Sequence, residues 1–394
     1  MSEPVRHLLL WGLLLLVGLV VALWSYARQP QFGGQPTGER LSRLQASPHY
    51  RHGAFTNLEP TQVLTGDTNT AAILLSGLFN KVPRLRPEQP IPVVKTEIKA
   101  LDPNADLLIW LGHSSFYVQL AGKRLLIDPV FSRDAAPVPY VNAAFDSTYQ
   151  YQAEDFPAID YLLITHDHWD HLDYPSVLAL KDKVGRVICG LGVGGHLASW
   201  GYRPAQIIEG DWFDKISNDA GLDIHLLPAR HFSGRLLEKN QTLWVGFALV
   251  SPKRKLFFSG DSGYGKHFAD IGQRFGGFDL VALDSGQYDP RWANIHMRPQ
   301  DAAQAAEDLQ ARALLPAHVA KFALANHAWD EPLQQMQALS QKHSVALLTP
   351  APGQVLDLAS PEASTAWWQP VPSPLVAAPQ TAARQGTPNP VEER

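Results

Sequence analysis

Thr165-His166-Asp167-His168-Trp169-Asp170-His171 follows directly on the apolar run Tyr161-Leu162-Leu163-Ile164. Imidazole and carboxylate are the donors that borderline divalent metals prefer, and here three histidines and Asp170 fall within six residues. Alternate residues of an extended segment point the same way, so His166 and His168 are placed to grip one ion. Asp170 and His171, past the turn, face a neighbouring position. Four donors on one loop suggest two sites sharing a wall rather than one tetrahedral cage.

Outward from this loop, short β-rich runs predict strands over Leu107–Trp110, Phe116–Leu120, 124–128, 161–165, 186–189, 224–227, 243–250, 255–259, 280–283 and 345–348. Helical patterns occupy 175–183, 195–201, 266–275, 299–311 and 330–342, the last with Asp330 as an expected N-cap. Strands that open through tight turns into helices imply a layered α/β domain over residues 95–358. Asp128, His166, His231, Asp261 and His318 each follow an apolar strand-like run, where such folds collect their functional groups.

The motif HxHxDH after a strand resembles the metallo-β-lactamase superfamily of dinuclear hydrolases. The likeness extends to Trp110-Leu111-Gly112-His113, Leu125-Leu126-Ile127-Asp128-Pro129, Gly260-Asp261-Ser262-Gly263-Tyr264, Tyr288-Asp289-Pro290-Arg291-Trp292 and Phe322-Ala323-Leu324-Ala325-Asn326. Together these are similar to the branch typified by N-acylphosphatidylethanolamine-hydrolysing phospholipase D. The resemblance implies a four-layer αββα sandwich and two divalent ions, Zn²⁺ first, with iron or manganese compatible with the same donors. It implies His166, His168 and His231 on one ion, Asp170, His171 and His318 on the other, and Asp261 between them. Asp170 or Asp261 would relay a proton, and His296 would meet the leaving group. His113 and Asp128 would lie just behind the ligands, Asp128 accepting an imidazole N–H. Tyr264, Tyr288, Trp292 and Phe322 would line an apolar mouth. Val319-Ala320-Lys321 departs from the branch pattern, which bears on the substrate and leaves the metal residues intact.

The reaction implied is hydrolysis of a phosphodiester in a membrane lipid, by water activated between the ions. Two alternatives keep the fold: a lactonase or β-lactamase-like attack on a carbonyl, and a membrane-tethered scaffold on an inactive hydrolase. Gly190-x-Gly192-x-x-Gly195 with Glu209 and Asp211 is formally a dinucleotide fingerprint. Gly260-Asp261-Ser262-Gly263 looks like the turn around a serine nucleophile, without a matching histidine segment. His196, His225, His267, His327 and His343 read as surface or packing residues.

The ends of the chain are of different character. Residues 1–7 are a short flank, and 8–27 form an uncharged run of 20 residues, long enough as a helix to cross about 30 Å of hydrocarbon. It reads as a transmembrane anchor, with a signal peptide cleaved near Ser25-Tyr26-Ala27 as the rival. The flanking arginines favour a cytoplasmic domain, whereas a short N-terminal anchor favours translocation; the balance leans to the extracytoplasmic side. Residues 28–94 read as a tether and partly ordered lead-in, with a short apolar stretch at 71–79. Residues 359–394, rich in Pro and Ala, read as a disordered tail. A net charge of −5 without a basic block argues against nucleic acid, and one cysteine, Cys189, excludes an internal disulfide framework. Nothing in the sequence fixes an oligomeric state.

Overall fold

Alternate residues of the strands divide between two different cores, and this division builds the layers. The computed structural model describes residues 3–66, 73, 82–217, 221–235, 238–362 and 366–369. In strands β3 (Leu107–Trp110), β4 (Phe116–Leu120) and β5 (Lys123–Ile127), the side chains of Leu108, Trp110, Phe116, Val118, Leu125 and Ile127 enter a central core. Leu107, Ile109, Tyr117 and Leu126, between them, enter an outer core on the opposite face. Strands β6 (Ile159–Ile164), β7 (Val184–Gly190) and β8 (Ile207–Gly210) continue the sheet in parallel from β5, and β16 (Val355–Asp357) closes it beside β3. Being buried on both faces explains their continuous apolar runs.

The second sheet has the order β15-β14-β13-β12-β11-β10-β9. These are Lys215–Ser217 (β9), Asp223–Leu227 (β10), Gly246–Val250 (β11), Lys255–Phe258 (β12), Leu280–Asp284 (β13), Ala313–Ala317 (β14) and Ala346–Leu347 (β15). Ile224, Leu226, Phe247, Leu249, Leu256 and Phe258 meet the first sheet in the central core, while Leu227, Ala248, Phe257, Val281 and Leu283 face outward. Helices α3 (Tyr174–Leu180) and α4 (Val193–Ser199) cover the first sheet, through Val177, Leu180, Val193 and Leu197. Helices α5 (His267–Phe275), α6 (Pro299–Asp308) and α7 (Glu331–Ser340) cover the second. The result is the four-layer αββα sandwich expected from the resemblance. Asp330 does not cap α7. Its carboxylate takes hydrogen bonds from Arg84 and, at 2.6 Å, from Gln334, so the helix starts without a side-chain cap.

Helix α1 (Glu3–Tyr26) is apolar, unburied along its length and long enough to cross a membrane. The segment after it is not a free tether. Helix α2 (Gly38–Ala46) buries Leu44, and the hairpin of β1 (Tyr50–Arg51) and β2 (Ala54–Phe55) buries Phe55 in the central core. Arg40 pairs with Glu209 at 3.0 Å, and Arg43 donates to the Glu209 carbonyl at 2.9 Å. Most of the apolar stretch at 71–79 lies outside the described residues. The order of the C-terminal segment also extends further than its composition suggests. Trp368 is buried in the central core and Trp367 donates to the Thr349 carbonyl at 3.1 Å, because large aromatic area offsets the ordering entropy that the surrounding Pro and Ala cannot. Residues 370–394 lie outside the described residues.

The glycines after β7 do not cradle a dinucleotide. Glu209 accepts the N–H groups of Gly192 at 2.8 Å and Gly194 at 3.0 Å, so the donors a pyrophosphate would need are already taken. A Cβ on Gly195 would meet the backbone of Gly34 and Pro36 at 2.8 Å. Gly195 lets the lead-in pack closely, while Gly190 and Gly192 make room for the backbone of Leu243 and Gln241.

Candidate metal centre

Both sheets deliver their loops to one edge, and the donors converge there. His166 and His168 come from the loop after β6, and His231 from the loop after β10. Nε2 of His166 lies 2.9 Å from Nδ1 of His168, and Nε2 of His231 lies 3.2 Å from the same atom. Three nitrogens bound at 2.0–2.1 Å to one tetrahedral ion sit about 3.3 Å apart, so this spacing fits a single cation. Asp261, in the loop after β12, completes the group with Oδ2 3.7 Å from both His166 and His231. A second group joins Asp170, His171, His318 and His113. Oδ2 of Asp170 lies 3.1 Å from Nε2 of His318 and 3.4 Å from Nε2 of His171. Asp261 reaches this group as well, with Oδ1 3.1 Å from His171 Nε2 and Oδ2 3.4 Å from His318 Nε2. His171 Nε2 and Asp261 Oδ1 are buried and close together but make no well-aligned hydrogen bond, as ligands aimed at a common cation would.

What faces each ring from behind decides which nitrogen it presents. Asp128, ending β5, accepts from His171 Nδ1 at 2.8 Å and from the Thr165 hydroxyl at 2.5 Å. That hydroxyl lies 3.0 Å from His166 Nδ1 and accepts its proton, so one carboxylate sets two rings. His231 Nδ1 donates to the Ile295 carbonyl at 3.0 Å. Asp284, ending β13, accepts from Nδ1 of His318 at 3.2 Å and of His296 at 2.8 Å. Four rings thus turn Nε2 inward, while His168 turns Nδ1. Asn57 of the lead-in clasps His231 through its backbone, accepting the N–H at 3.0 Å and donating to the carbonyl at 2.8 Å. Asp167 points away from the centre, toward Gly234 N–H at 2.7 Å and the Thr242 hydroxyl at 2.9 Å, and so pins the loop.

Residues 123–319 match the family described as "Beta-lactamase superfamily domain". The chain belongs to the beta-lactamase superfamily. An uncharacterized protein of Mycobacterium tuberculosis (strain ATCC 25618 / H37Rv) is 38% identical over 327 residues, which is 82% of this chain and 88% of that protein. The mitochondrial N-acyl-phosphatidylethanolamine-hydrolyzing phospholipase D of Saccharomyces cerevisiae is 33% identical over 242 residues, 59% of this chain and 51% of the yeast protein. Igni18, a metallo hydrolase of Ignicoccus hospitalis, has the same fold, with a TM-score of 0.50 at 21% identity over 64% of this chain and 97% of Igni18. The chain is a metal-dependent hydrolase of this superfamily.

In this superfamily member the two groups differ in charge. Burial and the neighbouring His171 and His168 rings hold His166 well below the usual imidazole range, and burial does the same for His231. These rings are neutral and ready to ligate. Burial also opposes a charge on His171, but Asp261, Asp170 and Asp128 outweigh it and hold the ring well above its ordinary value. His318 follows the same pattern, raised to about 10 by Asp261 and Asp284 against burial. Burial disfavours the anions of Asp170 and Asp261 too, yet the adjacent His171 keeps both carboxyls well below their usual range. Without metal, protons occupy the place of the second cation. A group raised in the folded chain keeps its proton until the pH passes the folded value, so both rings are charged at pH 7.5. Ligation requires neutral imidazole, so loading at pH 7.5 is expected to expel about one proton from each of the two rings, besides any released by a metal-bound water, with affinity rising as pH rises. Calorimetry in buffers of different ionisation enthalpy measures this; a proton count near zero contradicts it.

The structure brings His166, His168, Asp170, His171, His231, Asp261 and His318 together. It sets Asp128 behind His171, and His113 against Asp170 at 2.8 Å. His296 stacks on His318 with centroids 5.1 Å apart, its Nδ1 committed to Asp284. Phe322 does not line a mouth: it is 1% exposed and meets the His113 ring edge-on at 5.0 Å, because Val130 and Ala135 close over it. Tyr264 and Tyr288 spend their hydroxyls on Asp308 at 2.6 Å and Glu331 at 2.7 Å, and Trp292 donates to the Gln287 carbonyl at 2.9 Å. The aromatic rings that do border the metal loop are Phe232, 4.5 Å from His168, and Trp169, which meets Phe32 at 5.4 Å. Ser262 is fully buried, accepting from Arg230 N–H at 2.9 Å and donating to the Gly263 carbonyl at 2.8 Å, so it offers no nucleophile. The sequence reading missed Asp284 and Asn57.

Proposed function

We propose that the chain is a membrane-anchored phosphodiesterase of phospholipase D type, acting on a phospholipid with two zinc ions. His166, His168 and His231 would hold one ion, Asp170, His171 and His318 the other, and Asp261 both. Bound there, the ions supply a water that is deprotonated at neutral pH and Lewis acidity toward a phosphoryl oxygen. Asp128, Thr165 and Asp284 fix the tautomers of the rings around the reacting atoms, and Asp170 or Asp261 carries the proton to the departing alkoxide.

One observation carries the choice of a lipid. Tyr26, the last residue of α1, packs on Phe32 at 5.7 Å, and Phe32 packs on Trp169 of the metal loop at 5.4 Å. A chain of three rings therefore joins the end of the apolar helix to the catalytic edge, which supports a reaction beside a bilayer surface. The phospholipase D relative supports phosphorus over carbonyl carbon.

The test is turnover by the full-length protein in vesicles containing N-acyl-phosphatidylethanolamine, beside a chromogenic phosphodiester and a lactone in detergent. We expect phosphodiester rates at least about tenfold above the lactone rate, all lost with a chelator. Lactone turnover alone would reassign the enzyme to carbonyl chemistry; no turnover in a metal-loaded preparation would favour an inactive scaffold.

A further inference from the structure

We infer that the loop 137–141, Pro-Val-Pro-Tyr-Val, is a second membrane contact that enters the lipid headgroup region beside α1; this rests on the reading of α1 as an anchor. The base of the loop is fixed. Ala135 N–H donates to the Asn142 carbonyl at 3.1 Å, Ala144 N–H to the Arg133 carbonyl at 2.7 Å, and Asp134 and Ala143 form a bridge. From this base the tip projects with apolar side chains in water: Val138 is 38%, Tyr140 78% and Val141 45% exposed. Outside α1, no other four-residue stretch among the described residues carries three large exposed hydrophobics. Such a patch on a fixed loop marks a surface that meets something apolar.

The loop's position identifies what it meets. The hydroxyl of Tyr26 donates to the Pro137 carbonyl at 2.5 Å, so the loop touches the last turn of the apolar helix. That turn carries the marks of an interface: Trp24 and Tyr26 close the apolar run, and Arg28 lies over the Trp24 ring at 3.8 Å. A loop held at this level shares its depth in a bilayer. Its own composition repeats the pattern, with the exposed Tyr140 ring under the Arg133 guanidinium at 5.4 Å, an arrangement that sets an amphipathic ring among headgroups and a cation beside their phosphates. Two contacts, helix and loop, would hold the domain in one orientation, with Trp169 and the metal loop toward the lipid.

The experiment uses the full-length protein, whose only cysteine, Cys189, is buried. Tyr140→Cys, Lys253→Cys and Leu13→Cys each carry a polarity-sensitive fluorophore in vesicles of phosphatidylethanolamine and phosphatidylglycerol with brominated acyl chains. Lys253 is exposed in the turn between β11 and β12, at the end of β12 opposite the one that leads to Asp261. We expect quenching at position 13, at least about twofold quenching at position 140 by bromine near the headgroup, and none at 253. Quenching at 13 with position 140 indistinguishable from 253 would overturn the loop contact and leave the anchor standing. No quenching at 13, or its loss by cleavage, would instead remove the anchor reading. Shielding of position 140 from aqueous iodide without bromine quenching would point to a protein contact and also overturn the proposal. As a second readout, Tyr140→Asp should lower hydrolysis of vesicle lipid several-fold while turnover of a soluble phosphodiester stays within twofold of the parent.

Discussion

Asp261→Asn is expected to lower hydrolysis by roughly 10³-fold or more and to reduce bound metal from about two ions per chain to one or fewer. The carboxylate stands within 3.7 Å of His166 and His231 in one group and within 3.4 Å of His318 and His171 in the other. No other side chain among the described residues belongs both to the cluster of His166, His168 and His231 and to one containing His318. Loss of its charge therefore strikes both positions, whereas His168→Ala would strike one. Asparagine keeps the volume, so folding should survive and the comparison stay interpretable. Metal analysis and phosphodiester turnover measure the two effects together. Retention of two ions with full turnover would remove Asp261 from between them. The variant also has a pH signature. Asp261 is the strongest of the carboxylate influences that hold protons on His171 and His318, so fewer protons should leave when the variant takes up metal.

Much of this centre was legible because its donors obey a local rule. Each lies on a loop that follows an apolar strand, and a polar residue just past such a buried run has an edge, not a core, to occupy. Asp284 satisfies the same rule: Leu280-Val281-Ala282-Leu283-Asp284 matches Leu125-Leu126-Ile127-Asp128 in form. It was missed because a carboxylate that serves through other residues belongs to no motif of ligand types. Asn57 left no local signal at all, since its role comes from a contact across 174 positions of sequence. The expectation for Phe322 failed for a different reason. Composition does not say whether a ring faces a mouth or a wall, and Phe322 became a wall once Val130 and Ala135 closed over it.

The strands of the two sheets were readable from short buried runs, but their edges were not. β8, β9 and β16 are short and mixed in character, and each exists because a neighbouring strand offers it hydrogen bonds. The same holds for the segment before the domain. Gly, Pro and Thr there suggest a tether, yet tertiary partners such as Glu209 for Arg40 and the central core for Phe55 order it. Its packing matters to chemistry, because Asn57 within it steadies His231.

Asp284→Asn is expected to weaken binding at the second metal position about 10- to 100-fold and to lower turnover by a similar factor. Both oxygens of a carboxylate accept hydrogen bonds: Asp284 turns one to Nδ1 of His318 and the other to Nδ1 of His296, and also receives the N–H groups of Gly286 at 3.4 Å and Ser262 at 3.3 Å. An amide has one accepting side. Its NH₂ would face one Nδ1–H, donor against donor, so one ring must turn or shift its proton to Nε2, the nitrogen His318 presents to Asp170 and Asp261. The loss of charge adds to this. Asp284 helps hold His318 at about 10, so the variant's His318 should titrate lower and proton release on loading should fall by up to about one. A packing role alone would leave that count unchanged. Asp128→Asn should act in the same way on His171, whose Nδ1 it receives at 2.8 Å. Metal titration by calorimetry at two pH values separates these outcomes, and an Asp284→Asn chain with parental affinity and proton count would show that His318 is oriented by something else.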